Sequence, residues 1–397
     1  MPNKPKLFEA FSGIGCQRMA FDRLGIDYEM IGISEIDKYA LQSYMAIHGD
    51  TKNYGSICDI KGKDLPQIDV FTYSFPCTDL SKAGKQKGLS DTRSGLVYEV
   101  LRILQELKVE GRLPNVLIME NVVDLVQTKF IRQFQAIQLE LEQLGYTNYT
   151  QTLNAKNYGV AQNRDRVFMV SILGEYAYEF PKPTKPEKRL KDYLEDNVDE
   201  KYYLSDKLLN FFIGNSIKNE LNGNGFRFKP HQEFESKAAF AMTTNTGSRM
   251  DDNFIQIREA TEKGYAEAKI GDSVNLTQPN SKTRRGGVGK QISQTLTTQS
   301  QIGTVEHSGL YLHDSEAFRK DDLVGMSRCL KANKHDAGVN DGLRIRKLTP
   351  LECWRLMGIS DDQFHKAEKV CSNSQLYKQA GNGIVVDVFM AIIKNLI

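Results

Sequence analysis

Phe8-Glu9-Ala10-Phe11-Ser12-Gly13-Ile14-Gly15 decides the fold: a short apolar strand runs into a glycine turn, and a helix-period segment from Gly15 to Leu24 follows it. Gly13 and Gly15 permit a tight turn and let a ligand approach backbone N–H groups at a helix N-terminus. A dinucleotide fingerprint would want a third glycine at position 18. Arg18 stands there instead, which weakens the case for pyrophosphate. Glu35 ends the next expected strand, where a carboxylate can accept both hydroxyls of an unphosphorylated ribose. An adenosine-type ligand without pyrophosphate fits this pattern, and so, taken alone, does a plain turn beside a solvated acid.

Outward from that stretch, short apolar runs alternate with longer amphipathic segments as far as Ile172. Strands are expected near Lys6 to Ala10, Met30 to Ser34, Asp69 to Phe75, Asn115 to Glu120 and Arg166 to Ile172. Helices are expected over Gly15 to Leu24, Asp37 to His48, Gly95 to Leu107 and Phe130 to Leu144. This alternation predicts an α/β architecture, a doubly wound and mainly parallel sheet with helices on both faces. Past Gly174 the texture changes. Pro181, Pro183 and Pro186 punctuate a basic stretch, and residues from about 190 to 340 are polar, rich in Gly, Asn, Thr and Ser, and lack steady periodicity. The expected division is therefore 1–180 as the ligand-binding domain, 181–340 as a smaller loop-rich inserted domain, and 341–397 as a segment returning to the first, because amphipathic patterning resumes in RIRKLTPLECWRLMGI and GIVVDVFMAIIKNLI.

The 397 residues carry 26% charged and 40% hydrophobic side chains, as a globular enzyme does, and a formal net charge of only +2. Any basic surface must then be local. The N-terminus is polar, and no run of about 18 apolar residues suggests a membrane span, so a cytoplasmic protein is expected. Six cysteines and six histidines show no CxxC, HExxH or zinc-finger spacing, so no metal is expected.

Chemistry concentrates at strand ends, where open α/β sheets bind ligands. Asp69-Val-Phe-Thr-Tyr-Ser-Phe-Pro76-Cys77-Thr78 puts a cysteine after a strand, behind a proline of fixed φ. A lone cysteine is ordinarily a small buried hydrophobe, so its neighbours must give it a role. Asn115-Val-Leu-Ile-Met-Glu120-Asn121-Val122 is a second apolar strand running into an acid, at the same edge of the sheet. A desolvated carboxyl there would titrate near neutrality. Gln162-Asn163-Arg164-Asp165-Arg166 adds two guanidinium forks, suited to a carbonyl oxygen, to a carboxylate or to ordinary salt bridging. Ser81 to Arg93 carries Gly84 and Gly88 as hinges, with Lys82, Lys85, Lys87 and Arg93 as phosphate partners.

The ordered set FSGIG, EID, FPCTDLS, MENV, QNRDR, RKLTPLECWRLMGI and QAGNG resembles the DNA cytosine-C5 methyltransferase family of bacterial and phage restriction-modification systems, across most of the chain. That resemblance implies a catalytic domain of the S-adenosylmethionine-dependent type, built from both ends of the chain, with the insertion serving target recognition. It further implies that Cys77 adds to C6 of a flipped cytosine, that Glu120 holds N3 and the amino group, that Arg164 holds O2, and that Arg166 completes the site. S-adenosylmethionine would lie against Phe11, Gly13, Gly15, Glu35, Ile36, Asp59, Asn382 and Ile384, with Asp37 as a further neighbour. Ser81, Lys85 and Arg93 resemble the mobile catalytic loop, and Thr295 and Leu296, after the basic run Lys282 to Lys290, resemble the recognition pair. Double-stranded DNA is the implied partner of a monomer, with room for a cognate restriction endonuclease acting separately.

Two positions depart from the family pattern: Thr78 stands where glutamine is common, and Gly383 where serine usually follows QAGN. Two rival readings share the fold, a tRNA cytosine-C5 methyltransferase and a catalytically idle DNA-binding regulator. The absence of a CFT tripeptide weighs against the first, and intact Cys77, Glu120, Arg164 and Arg166 weigh against the second.

Overall fold

The computed structural model describes residues 4–76, 93–128, 130–184, 188–196, 198–205 and 343–396, together with a few helical residues and short strands between 205 and 343. The chain divides into two compact units: one of Met1–Tyr202, Asn210–Asn253 and Lys347–Ile397, the other of Tyr203–Leu209 and Phe254–Arg346.

The first unit is organised by a six-stranded sheet. Its strands are β1 (Lys6–Ala10), β2 (Glu29–Ser34), β3 (Val70–Tyr73), β4 (Val116–Asn121), β5 (Tyr146–Asn154) and β7 (Asp165–Leu173), in the order β2-β1-β3-β4-β7-β5. β1 pairs in parallel with β2 and β3, and β3 with β4, whereas β7 is antiparallel to both its neighbours. The expected doubly wound, mainly parallel sheet therefore forms, with one strand reversed. A two-residue strand, β6 (Gln162–Asn163), pairs in parallel with Ala239–Phe240.

Helices form where the apolar period dictates. In α3 (Val97–Val109) the buried residues Val97, Val100, Leu101, Leu104 and Leu107 recur three and four apart, which makes one continuous stripe. With Phe134, Ile137, Leu141 and Leu144 of α4 (Ile131–Leu144), that stripe joins the core under one face of the sheet, against Phe8, Phe71, Leu117 and Met169. α1 (Cys16–Leu24) and α2 (Lys38–His48) meet the chain's end: α1 packs on α8 (Val386–Lys394), and α2 on α6 (Asp361–Glu368). Val386, Val388, Phe389, Ile392 and Ile393 of α8 are buried, at about 1.5–3 kcal/mol each. The stretch Asn373–Lys394 is long and apolar enough by composition to cross a membrane, yet it is two helices, α7 (Asn373–Asn382) and α8, with most of its apolar window buried in the protein. α5 (Pro350–Leu356) starts from a capping box, in which Thr349 and Glu352 satisfy each other's backbone N–H and proline takes the first turn.

The second unit contains an antiparallel four-stranded sheet in the order Val288–Gly289, Ser273–Asn275, Ile302–Glu306, Arg328–Cys329.

Candidate active site

The turn after β1 is built from left-handed residues, Phe11 at φ 55°, Gly13 at 57° and Gly15 at 79°. The two glycines are needed for different reasons. A Cβ on Gly15 would lie 2.5 Å from Nε2 of His48 and 2.6 Å from the Tyr44 ring, so this position is packed against α2. A Cβ on Gly13 would meet nothing within 4 Å, so open space lies over this part of the turn. Phe11 holds its conformation without a glycine's freedom, at a cost on the order of 1–3 kcal/mol, while its ring packs on the core.

Glu35 closes the turn from β2. Its Oε2 accepts the Gly13 N–H at 2.8 Å, and its Oε1 accepts the N–H groups of Ile36 at 2.8 Å and Asp37 at 2.7 Å. Burial raises its pKa, and those amides pull it back. Asn53 brackets the same residue, accepting its N–H at 3.1 Å and donating to its carbonyl at 2.9 Å. Ile36 beside it is 76% exposed, an apolar face with no cover of its own. Asp37 caps α2, with Oδ1 accepting from Tyr39 and Ala40, while its Oδ2 takes the Lys378 ammonium at 2.6 Å. Asp59 is exposed, and its N–H donates to Ser56. Asn382 is exposed at the end of α7, and Ile384 just beyond is buried.

At the other strand ends, Tyr73 pairs with Met119, so one step further Ser74 comes beside Glu120 and Phe75 beside Asn121. Asn121 Nδ2 donates to the Phe75 carbonyl at 3.2 Å, fixing the chain just before Pro76. Glu120 is buried and its pKa is raised by that burial, against the pull of Arg166 and Arg164. Arg166 Nε lies 3.0 Å from Glu120 Oε1 and remains partly exposed.

Arg164, which also acts on the Glu120 charge, is the more deeply buried of the two arginines. It is 3% exposed, and its Nη2 donates to the carbonyls of Gly381 and Gly383, both at 2.9 Å. Burial and the neighbouring Arg166 charge lower its pKa to about 9. The turn it grips is tight: a Cβ on Gly383 would sit 3.2 Å from Cys16 Sγ, 3.2 Å from the Gln379 carbonyl and 3.4 Å from Met357 Cε. The buried Cys16 thiol has its pKa pushed up to about 12, chiefly by burial.

The structure thus brings together Glu120 with Arg166, Gly13 with Glu35, and Arg164 with the QAGNG turn. Cys77, Ser81, Lys85, Thr295 and Leu296 lie outside the described residues, as does the side chain of Arg93, whose backbone opens a 3-10 turn over Arg93–Leu96. Sequence reasoning assigned nothing to Asn121, although it follows Glu120 in the same motif, nor to Lys378, which directly precedes QAGNG. Among the described residues no group of three or more His, Cys, Asp or Glu side chains could hold a metal ion.

Comparison with known proteins accords with this arrangement. The family model for C-5 cytosine-specific DNA methylase matches residues 6–397. The orphan methyltransferase M.SPRI of Bacillus phage SPR is 29% identical, over 99% of this chain and 98% of its own. The type II methyltransferase M2.ScrFI of Lactococcus lactis subsp. cremoris is 30% identical, over 98% of both. Among solved structures, the Dnmt2 methyltransferase of S. pombe superposes with a TM-score of 0.64 over 98% of this chain and 97% of its own, a likeness of fold at 17% identity.

Proposed function

The chain belongs to the C-5 cytosine-specific DNA methylase family and is a DNA (cytosine-5-)-methyltransferase, and from that premise we propose that it methylates a flipped-out cytosine through a covalent adduct to Cys77. The observation that carries the proposal is the ion pair of buried Glu120 with partly exposed Arg166 at the strand end beside Phe75 and Pro76, the residues that lead into Cys77.

A cytosine stacked in a duplex hides C6 and N3, so the nucleotide must leave the helix before any side chain reaches them. The Cys77 thiolate then adds to C6. As that bond forms, electron density moves through the ring. Glu120, whose pKa burial raises above the usual carboxylate value, protonates N3 and accepts a hydrogen bond from the exocyclic amino group. We assign O2 to Arg166 in preference to Arg164: Arg166 is the partly exposed guanidinium beside Glu120, whereas Arg164 is buried and gives its Nη2 to Gly381 and Gly383. Arg164 acts behind it, fixing the turn that closes the site.

The residues around Gly13 fit S-adenosylmethionine. Open space lies over Gly13, Ile36 and Phe11 offer apolar faces to a purine, and the half-buried Glu35 carboxylate keeps one lone pair on Oε2 for a ribose hydroxyl. Bound there, S-adenosylmethionine would supply an electrophilic methyl group for C5, with S-adenosylhomocysteine as the leaving group. Asp59, Asn382 and Ile384 complete the rim, and Gly15 contributes by letting α2 pack beneath the turn. Loss of the C5 proton to water, return of the N3 proton to Glu120 and departure of the Cys77 thiolate restore an aromatic 5-methylcytosine. Ser81, Lys85 and Arg93 close over the DNA backbone, Thr295 and Leu296 read its sequence, and the protein works as a monomer.

Mapping 5-methylcytosine in DNA from cells expressing the protein tests this reading. One short sequence motif should be methylated throughout, and Glu120→Gln should lower its occupancy by on the order of 100-fold in turnover-limited assays. Methyl incorporation into RNA with none into duplex DNA would refute it.

A further inference from the structure

Helix α7 touches both halves of the site, and its contacts with α2 have no part in the chemistry above. Lys378 Nζ lies 2.6 Å from Asp37 Oδ2, and the next residue, Gln379, donates from Nε2 to the Tyr39 carbonyl at 3.0 Å while its Oε1 accepts the Ser43 hydroxyl at 3.1 Å. Three successive features of α2, its capping residue, its first turn and its second turn, are thereby bolted to one face of α7. Asp37 in turn is joined to the donor site, because its backbone N–H donates to Glu35 Oε1 at 2.7 Å and Glu35 Oε2 holds Gly13. At and just past the C-terminus of α7, the Gly381 and Gly383 carbonyls receive Arg164.

We propose that Lys378 is a positioning residue for the methyl donor: its ion pair with Asp37, seated on α7, holds the Glu35-Ile36 turn in the geometry that receives the adenosine moiety. The proposal rests on the donor-site reading given above. Asp37 shows why the lysine is needed. A carboxylate capping α2 is already bound by two amides through Oδ1, so a rotation about its side chain is restrained on one oxygen only. The ammonium on Oδ2 restrains the second, and with it the chain segment carrying Ile36, whose exposed side chain has no packing of its own to fix it. The pair is partly exposed, at 43% for Lys378 and 30% for Asp37, so its effect is modest and sensitive to salt.

Calorimetric titration of the full-length protein with S-adenosylhomocysteine, at about 0.05 M and about 1 M salt, separates the outcomes. Lys378→Met should bind about three- to fivefold more weakly than wild type at low salt, and the gap should close at high salt. Lys378→Arg should bind as wild type, and Asp37→Asn, which keeps the capping oxygen and loses the charge, should match Lys378→Met. In steady state the loss should appear in KM for the donor more than in KM for DNA. Wild type that binds while Lys378→Met binds equally well at low salt overturns the positioning role alone. A salt-independent loss also overturns it, as a purely structural defect. Wild type that fails to bind S-adenosylhomocysteine overturns the donor-site reading and this proposal with it.

Discussion

Replacing Glu9 with glutamine should expose a balance of two opposed titrations beneath the donor turn. Glu9 is fully buried in β1, where Oε1 accepts the Arg18 N–H at 2.8 Å and Oε2 accepts the Tyr44 hydroxyl at 2.8 Å. Burial raises its pKa from 4.5 to about 7, against the lowering effect of those two hydrogen bonds and of the Arg18 charge. A carboxyl displaced that far is worth about 3 kcal/mol between its two protonation states. The raised pKa means the folded protein keeps a proton that the unfolded chain has lost. The contribution is therefore full below pH 4.5 and disappears as pH rises through about 7. His48 works the other way. Its Nε2 lies 3.1 Å from the Ile14 carbonyl, and burial, with the nearby Arg18 charge, lowers its pKa to about 3, so the folded state refuses a proton that the unfolded chain takes below 6.5. Its contribution is present above 6.5 and falls away as pH drops toward about 3. Between about pH 4.5 and 6.5 the two slopes oppose. Glu9→Gln can still accept from Arg18 and donate to Tyr44, so it removes one titration and leaves the other. Urea unfolding followed by the fluorescence of Trp354, the sole tryptophan, reads the result. From about pH 4.5 to about pH 8 the stability of the variant relative to wild type should rise by about 3 kcal/mol, with unchanged m. Parallel pH profiles for the two proteins would refute the argument.

Three further outcomes follow from the site's supports. Gly383→Ser should cost about 1–3 kcal/mol by crowding Cys16, and Cys16→Ala should recover much of it, measured as the coupling in a double-mutant cycle. Arg164→Met leaves the Gly381 and Gly383 carbonyls without that donor, and should destabilise by about 3 kcal/mol in denaturant titration, with Arg164→Lys a poor substitute for the fork. Asn121→Ala frees the Phe75 carbonyl and the chain leading to Cys77, and should lower kcat by on the order of 10- to 100-fold while S-adenosylhomocysteine binding holds.

Most of the sheet was legible because its central strands are mainly apolar runs and its helices carry a clean period. β5 was not foreseen. Tyr146–Asn154 lies at the edge of the sheet, paired only with β7, and its sequence YTNYTQTLN buries little beyond Tyr146 and Leu153, so no apolar alternation marks it. The reversal of β7 is equally silent in sequence, since strand direction depends on the connection and not on side-chain pattern. In the site, Glu120 and Arg166 were placed by motif, but which arginine faces the carboxylate required coordinates: both sit in the same five residues, and the partners that separate them, Gly381 and Gly383, lie more than two hundred positions away. Gly15 was read as making room for a ligand, whereas its missing Cβ makes room for Tyr44 and His48. Lys378 escaped notice because its partner, Asp37, is also a helix cap, and a capping aspartate explains itself locally.

The central claim is that Cys77 bonds to the cytosine it helps to methylate. Random-sequence duplex DNA with 5-fluorocytosine in place of cytosine, incubated with the protein and S-adenosylmethionine, tests it directly, because fluorine at C5 blocks the final elimination. The wild type should form an adduct that survives denaturation and migrates as protein joined to DNA, and Cys77→Ala should form none. An adduct that persists in Cys77→Ala, or a wild type that methylates ordinary duplex DNA yet leaves no adduct on the fluorinated one, would contradict the account.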